Sequence, residues 1–219
     1  MTKKQVVSQE KSLKLIDRRV IIRSVVLGLI VLVYLLSYYL YYNYRNTKAG
    51  YDFLFGSFLY RRAGEDNSKY EEAEKVFKDI LLNYNIRHWQ ELAQFYLGNI
   101  YYKKGDIIEA ERAYSNYILR FPRGDWAKEA RLSMAYLAEN RGLYKLAIER
   151  YENVLKEFPE DYLLKEVYLG MGRSYERLKK FSLAKEYYGK LKANYPGTVW
   201  AGKSEERLGE IEAAIKLGI

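Results

Sequence analysis

Hydrophobic and polar positions follow two patterns along this chain, and they change over near residue 45. From Ser24 to Tyr44 there is no charged side chain, and Val25–Leu36 is almost wholly aliphatic. At about 1.5 Å per residue, that stretch reaches roughly the 30 Å of one hydrocarbon core, so a transmembrane helix is predicted over 24–44. The run closes with Tyr38, Tyr39, Tyr41, Tyr42 and Tyr44, then Arg45. Tyrosines grouped there read as an interfacial belt, rings at headgroup depth and hydroxyls in water. A cleaved signal peptide has a shorter apolar core and a small-residue cleavage site, and no A-x-A pattern stands here.

Beyond Arg45 the apolar positions recur with a fixed period. Ala73, Ala110, Ala147 and Ala184 are 37 residues apart, each followed four positions later by an aromatic: Phe77, Tyr114, Tyr151, Tyr188. Eight further on stand Asn85, Pro122, Pro159 and Pro196, and four beyond those Trp89, Trp126, Leu163 and Trp200. Twelve residues before the later alanines come Gly98, Ala135 and Gly172. A repeat of this kind predicts stacked helix pairs. Small residues allow the two helices of a pair to cross closely, and the aromatic one turn later fills the wedge beside them. Proline ends the second helix because it has no N–H for the ladder. Turns such as Lys104-Gly105-Asp106 and Arg141-Gly142 join the helices of a pair. The first unit departs from the pattern, with Arg61 where a small residue is expected, Gly64 where an aromatic is, and Asn85 in place of proline.

The run Leu97-Gly98-x2-Tyr101-x8-Ala110-x3-Tyr114-x7-Pro122 resembles the tetratricopeptide repeat (TPR) motif, and Met171-Gly172-x2-Tyr175-x8-Ala184-x3-Tyr188-x7-Pro196 repeats it. The expected fold is all-α: an N-terminal transmembrane helix, then a TPR solenoid of four helix pairs with a 37-residue period and a C-terminal capping helix. The corresponding segments are a basic tail at 1–23, the span at 24–44, the solenoid at 45–199 and the cap at 200–219. In the cap, Glu205, Glu206, Glu210 and Glu212 alternate with Leu208, Ile211 and Ile215, giving one packed and one solvated face, as a solenoid end requires.

Charge adds topology. Of the net +9, residues 1–45 supply +6, from eight Lys/Arg against Glu10 and Asp17. A nucleic-acid-binding domain concentrates its basic excess on the folded part, and here the excess lies on the tail, so no nucleic acid is expected as a partner. Lys3, Lys4, Lys11, Lys14, Arg18, Arg19 and Arg23 precede the span, while Arg45, Lys48, Arg61 and Arg62 follow it. The positive-inside rule then puts the N-terminus in the cytoplasm and the repeats across the membrane.

No catalytic constellation stands out. The chain has no cysteine, which excludes disulfides, thiolate catalysis and Cys-ligated metal. His88, the single histidine, lies beside Trp89 at a helix start without a partner placed by sequence for acid–base work. Neither metal-ligand spacing nor a phosphate loop is present. The sequence therefore predicts no enzyme, no metal, no cofactor and no small-molecule substrate. Protein partners remain. In TPR arrays the first helices line the concave side, and the resemblance maps that side onto Phe55, Phe58 and Arg62, then Phe95, Asn99 and Tyr102, then Leu132 and Tyr136, then Glu166, Leu169, Arg173 and Glu176. This predicts a groove with an aromatic near end and a charged far end. The Lys and Asn with which some TPR proteins clamp an acidic C-terminus are replaced by Phe58 and Arg62, which favours an extended, partly apolar peptide or a partner helix.

The layout of basic tail, single span and exported repeats resembles the bacterial ancillary SecYEG translocon subunit (YfgM-like) family. That resemblance implies a single-pass protein of the bacterial inner membrane with a periplasmic TPR domain, meeting the translocon or chaperone clients. The Phe121-Pro122-x3-Trp126 and Tyr195-Pro196-x3-Trp200 junctions resemble those of TPR scaffolds for envelope assembly or cell division. An accessory subunit of a membrane enzyme complex is a third reading.

Overall fold

The structure, a computed structural model, describes residues 3–64 and 66–217, with residues 3–7 and 9–17 described by backbone alone. The side chains of Lys3, Lys4, Lys11 and Lys14 in the predicted tail, and the last two residues of the predicted cap, lie outside the described residues. Among the described residues there are nine helices and no strand. They are α1 Lys3–Arg62, α2 Ser68–Asn83, α3 Arg87–Lys104, α4 Ile107–Arg120, α5 Ala127–Asn140, α6 Tyr144–Glu157, α7 Leu164–Arg177, α8 Phe181–Asn194 and α9 Val199–Leu217. The chain divides into two compact units, Met1–Tyr51 and Asp52–Ile219.

The first unit is helical throughout its described length, and no break marks residues 23–24 or 44–45. Arg18–Tyr42 is exposed at every position, and the apolar stretch reaches a mean hydropathy of 2.5, long and apolar enough to cross a membrane. At its end Tyr38 stacks on Tyr42 with ring centroids 6.5 Å apart, and the Arg45 guanidinium lies 5.7 Å over the Tyr41 ring.

The second unit is a row of helix pairs. The end of α1 pairs with α2, then α3 with α4, α5 with α6 and α7 with α8, and α9 closes the row alone. Ala73, Ala110, Ala147 and Ala184 are fully buried, and so are the aromatics four residues later. Adding a Cβ to Gly98 would place it 2.5 Å from Cε1 of Tyr114, and Gly172 meets Tyr188 at the same distance. That is too close for any real side chain, so the sequence keeps glycine where the ring presses on the helix. The second helices α4, α6 and α8 stop two residues before Pro122, Pro159 and Pro196, as a residue without an N–H dictates. Within pairs two and three, Gly105 (φ 82°) and Gly142 (φ 73°) turn the chain in the left-handed region that suits glycine. Lys179 (φ 56°) does the same work in the fourth pair. The same closing bond recurs at all three turns, from Asp106 N to Tyr101 O, Leu143 N to Ala138 O and Lys180 N to Tyr175 O, each 2.9 Å.

Alternate helices touch through the first members of the pairs, α5 with α7 and α7 with α9, so the first helices line the inner side of the row. The cap packs Ile211 into the core shared with Leu191 and Tyr188 and half-buries Leu208. Ile215, assigned to the packed face from sequence, is exposed because the row ends before it.

The first pair differs from its expected register. Gly56, not position 61, meets the aromatic after Ala73: its Cβ would lie 3.0 Å from the Phe77 ring. Phe53 packs on Phe77 at 5.7 Å and on Trp89 at 5.6 Å, just as Phe95 packs on Tyr114 at 6.0 Å and Trp126 at 5.0 Å. Gly56 and Gly98 are therefore equivalent at a separation of 42 rather than 37 residues. The five extra residues fall in the connection between α1 and α2. Phe55, Phe58 and Arg62 thus share register with Leu97, Ile100 and Lys104, not with groove positions such as Asn99 and Tyr102.

Candidate partner-binding groove

The inner side of the row is built from positions three or four residues apart on the first helices, which share a helical face. One open part lies between the second and third pairs, where Asn99, Tyr102 and Lys103 of α3, Ser133 and Tyr136 of α5, and the ring of Tyr114 from α4 line a cleft of about 270 Å³, and another of about 390 Å³ lies between α7 and α9 beside Arg177 and Lys203. Tyr102 and Lys103 are exposed, and Asn99, Ser133 and Tyr136 are half-buried. The Tyr114 hydroxyl donates to Asn99 Oδ1 at 2.6 Å, and Asn140 Nδ2 donates to the Tyr102 hydroxyl at 3.2 Å. Burial holds the Tyr114 hydroxyl well above its usual pKa, so it stays a protonated donor. Lys103 has no charged partner among the described residues. The cleft thus offers aromatic faces, an amide, a hydroxyl and one ammonium, a mixture suited to a polypeptide.

Of the other residues assigned to this surface, Phe95 and Leu132 are buried. Phe95 stacks flat on Trp126 and meets Tyr114 tilted and Tyr117 edge-on, so it cements the second pair to the third instead of facing a partner. Tyr136 is divided between roles. One side lines the cleft, while its ring meets Tyr151 edge-on at 5.9 Å and its hydroxyl donates to Glu166 at 2.9 Å. Burial, with the Glu166 carboxylate next, drives its pKa upward.

The far end is charged, as the sequence predicts, but part of its charge is held internally. Glu139 accepts from the Tyr151 hydroxyl at 2.7 Å and from Arg173 Nε and Nη2 at 2.6 and 2.8 Å. Burial would lower the pKa of Arg173, and the bonds and charge of Glu139 outweigh it, so the guanidinium stays charged. One pair further on, Glu176 accepts from Tyr188 at 2.9 Å and is held by Arg207 of the cap. The sequence reading did not single out Lys103, Ser133, Asn140, Glu139 or Arg207. The period itself carries the signal for Glu139, which stands 37 residues after Tyr102 and 37 before Glu176.

Stacked antiparallel helix pairs with small-residue crossings, proline-ended second helices and a lined inner side define a helical-repeat solenoid. Three of its units match the family model for the tetratricopeptide repeat, over residues 92–123, 129–161 and 166–198. Solved structures agree on the fold. A Podosopora anserina putative kinesin light chain with nearly identical TPR-like repeats superposes with TM-score 0.60 at 14% identity, covering 74% of this chain and 85% of that one. MamA from Desulfovibrio magneticus RS-1 gives 0.58 at 18% identity, covering 75% and 86%. A tetratricopeptide repeat protein from Parabacteroides merdae gives 0.56 at 19% identity, covering 72% and 60%. No curated protein sequence matches the chain significantly. The comparisons support the repeat and the protein-interaction role it implies, and do not support the particular translocon-subunit family.

Proposed function

We propose that this protein is a single-pass membrane scaffold whose TPR unit captures a polypeptide partner in the cleft between its second and third helix pairs. The observation that carries this is the contrast along the inner side. Toward the far end Arg173 and Arg207 are held by Glu139 and Glu176, while Tyr102 and Lys103 stand exposed in a cleft lined by aromatic rings. An apolar stretch of mean hydropathy 2.5, ending in paired tyrosines and an arginine, supports the anchor. Attachment beside the Sec translocon, with the repeats on the exported side of the inner membrane, is the finer reading, and its support is the resemblance in layout and the basic excess before the span.

Co-purification from detergent-solubilised membranes, followed by mass spectrometry, tests the partner. Translocon subunits are expected with the unaltered protein and are expected to be lost when Tyr102→Ala and Lys103→Ala are combined, at unchanged helical circular dichroism. Envelope-assembly or division factors in their place, or one stoichiometric membrane enzyme, would overturn the Sec reading but keep the scaffold. Recovery of the same partners with the double variant would move the binding surface out of the cleft. Topology is tested separately: protease added outside spheroplasts should digest the repeats and leave a small N-terminal fragment in the membrane, and full protection would reverse the orientation.

A further inference from the structure

In the cleft of about 390 Å³ between α7 and α9, two cations have no carboxylate to hold them. The lining is Leu169, Arg173 and Arg177 from α7 and Lys203, Glu206 and Arg207 from α9. Arg173 is engaged by Glu139, and Arg207 by Glu176 and Glu210. Arg177 and Lys203 are exposed, and neither has a charged partner among the described residues. The Lys203 ammonium lies 5.1 Å over the Trp200 ring. Glu206 is the one carboxylate in the lining, and it too is exposed and bonded to neither cation. Elsewhere a cation that meets a neighbouring element is answered within the chain: Lys104 by Glu74, Lys128 by Asp161, Arg131 by Glu157 and Arg141 by Glu111. The repeat sharpens the contrast. Lys203 stands one period after Glu166 and two after Glu129, which accept from the hydroxyls of Tyr136 and Tyr162. Lysine at the same place on α9 reverses the sign and makes no such bond.

We propose that this cleft receives an aspartate or glutamate side chain of the polypeptide held on the inner side, its carboxylate between Arg177 and Lys203 and its methylenes over the buried Leu169. The occupant is specified by charge complementarity. Two like charges lining one cleft repel, and a carboxylate set between them replaces that repulsion with two charge-assisted bonds. A phosphate would meet the same cations, but the Glu206 carboxylate at the cleft opposes a dianion more strongly than a single charge, and the apolar Leu169 suits a side chain with methylenes. The proposal rests on the reading of the inner side as a polypeptide groove and adds the partner's chemistry there: an acidic segment where it crosses α7 and α9.

The test uses the full chain in lipid nanodiscs and two fluorescent peptides, hexaglutamate and hexaglutamine. Anisotropy should show saturable binding of hexaglutamate and none of hexaglutamine. Combining Arg177→Gln with Lys203→Gln should weaken hexaglutamate about tenfold, the loss of two ion pairs near the upper end of their exposed strength. Removing the same charge from the second helices, with Lys75→Gln and Lys145→Gln together, should leave binding within about twofold, because both lysines are exposed away from the cleft. The Tyr102→Ala, Lys103→Ala variant should also bind hexaglutamate within about twofold, so failure of the first cleft and failure of this one read out separately. Arg177 and Lys203 are exposed, so their double variant should keep its circular dichroism and melting temperature. Absence of saturable binding, or equal weakening by the Lys75, Lys145 control, would overturn the proposal. Loss confined to the Tyr102, Lys103 variant would overturn it by moving the acidic contact to the first cleft. Displacement of hexaglutamate by an equal concentration of inorganic phosphate would overturn it by assigning the cleft to a free anion.

Discussion

Gly98 shows how one residue type sets the repeat. Its missing side chain lets the Tyr114 ring lie against the helix, and an added methyl would sit 2.5 Å from that ring. Gly98→Ala should therefore cost about 1–3 kcal/mol, the usual penalty for overpacking a filled core. Gly202 in the cap helix has nothing within 4 Å of an added Cβ, so Gly202→Ala should be neutral or stabilise by up to about 1 kcal/mol through the helix backbone. Chemical denaturation of the two variants checks both, and equal shifts would contradict the packing described. Residues of this kind were legible in the sequence because their reason is local: a small residue, an aromatic and a proline recur at fixed spacing. In the first pair a register counted back from Ala73 at a fixed distance fails, because the connection to α2 is longer. The correct signal was present as Phe53-x2-Gly56, which matches Phe95-x2-Gly98, Leu132-x2-Ala135 and Leu169-x2-Gly172. A five-residue insertion in a connecting turn leaves no trace in the period of the second helices.

Between elements, the contacts that join one pair to the next are partly ionic, and they titrate. Glu74 of α2 accepts from Lys78 at 2.7 Å, from Lys104 of α3 at 2.9 Å and from the Tyr101 hydroxyl of α3 at 3.1 Å. Burial alone would raise its pKa, but these three bonds outweigh it and bring it from the usual 4.5 down to about 2. A carboxyl whose pKa is lower in the folded state stabilises above its unfolded value and loses that contribution as protons bind the folded state. The stability difference between the unaltered protein and Glu74→Gln should thus be full above about pH 4.5 and should close as pH falls toward 2. Urea melts across that range measure it, and a gap constant with pH would show that the bonds are not formed in solution. Pairings of this kind were not legible from sequence. Glu139 and Arg173 are 34 residues apart and lie on separate first helices, so only the stacking of α5 on α7 brings them to 2.6 Å. For the same reason Arg173 and Glu176 read in sequence as open groove residues and prove to be paired, with Glu139 and Arg207.

For the whole molecule, fold and function differ in how far sequence carries them. The all-helical solenoid follows from periodicity, and an apolar helix able to cross a membrane follows from length and hydropathy. The working surface does not follow, because buried and open positions share the same residue types: Phe95 and Tyr102 are both aromatics on one first helix, yet one is sealed under Trp126 and the other faces the cleft. The claim that the cleft is where a partner is held is tested most directly by contact. A photo-crosslinking amino acid placed at Tyr102, and in a separate variant at Leu119, which is 80% exposed on the second helix α4, gives paired probes on inner and outer sides. Irradiation of intact cells should yield one discrete crosslinked protein product from position 102 and none from position 119. The same product from position 119, or products from 119 alone, would contradict the account.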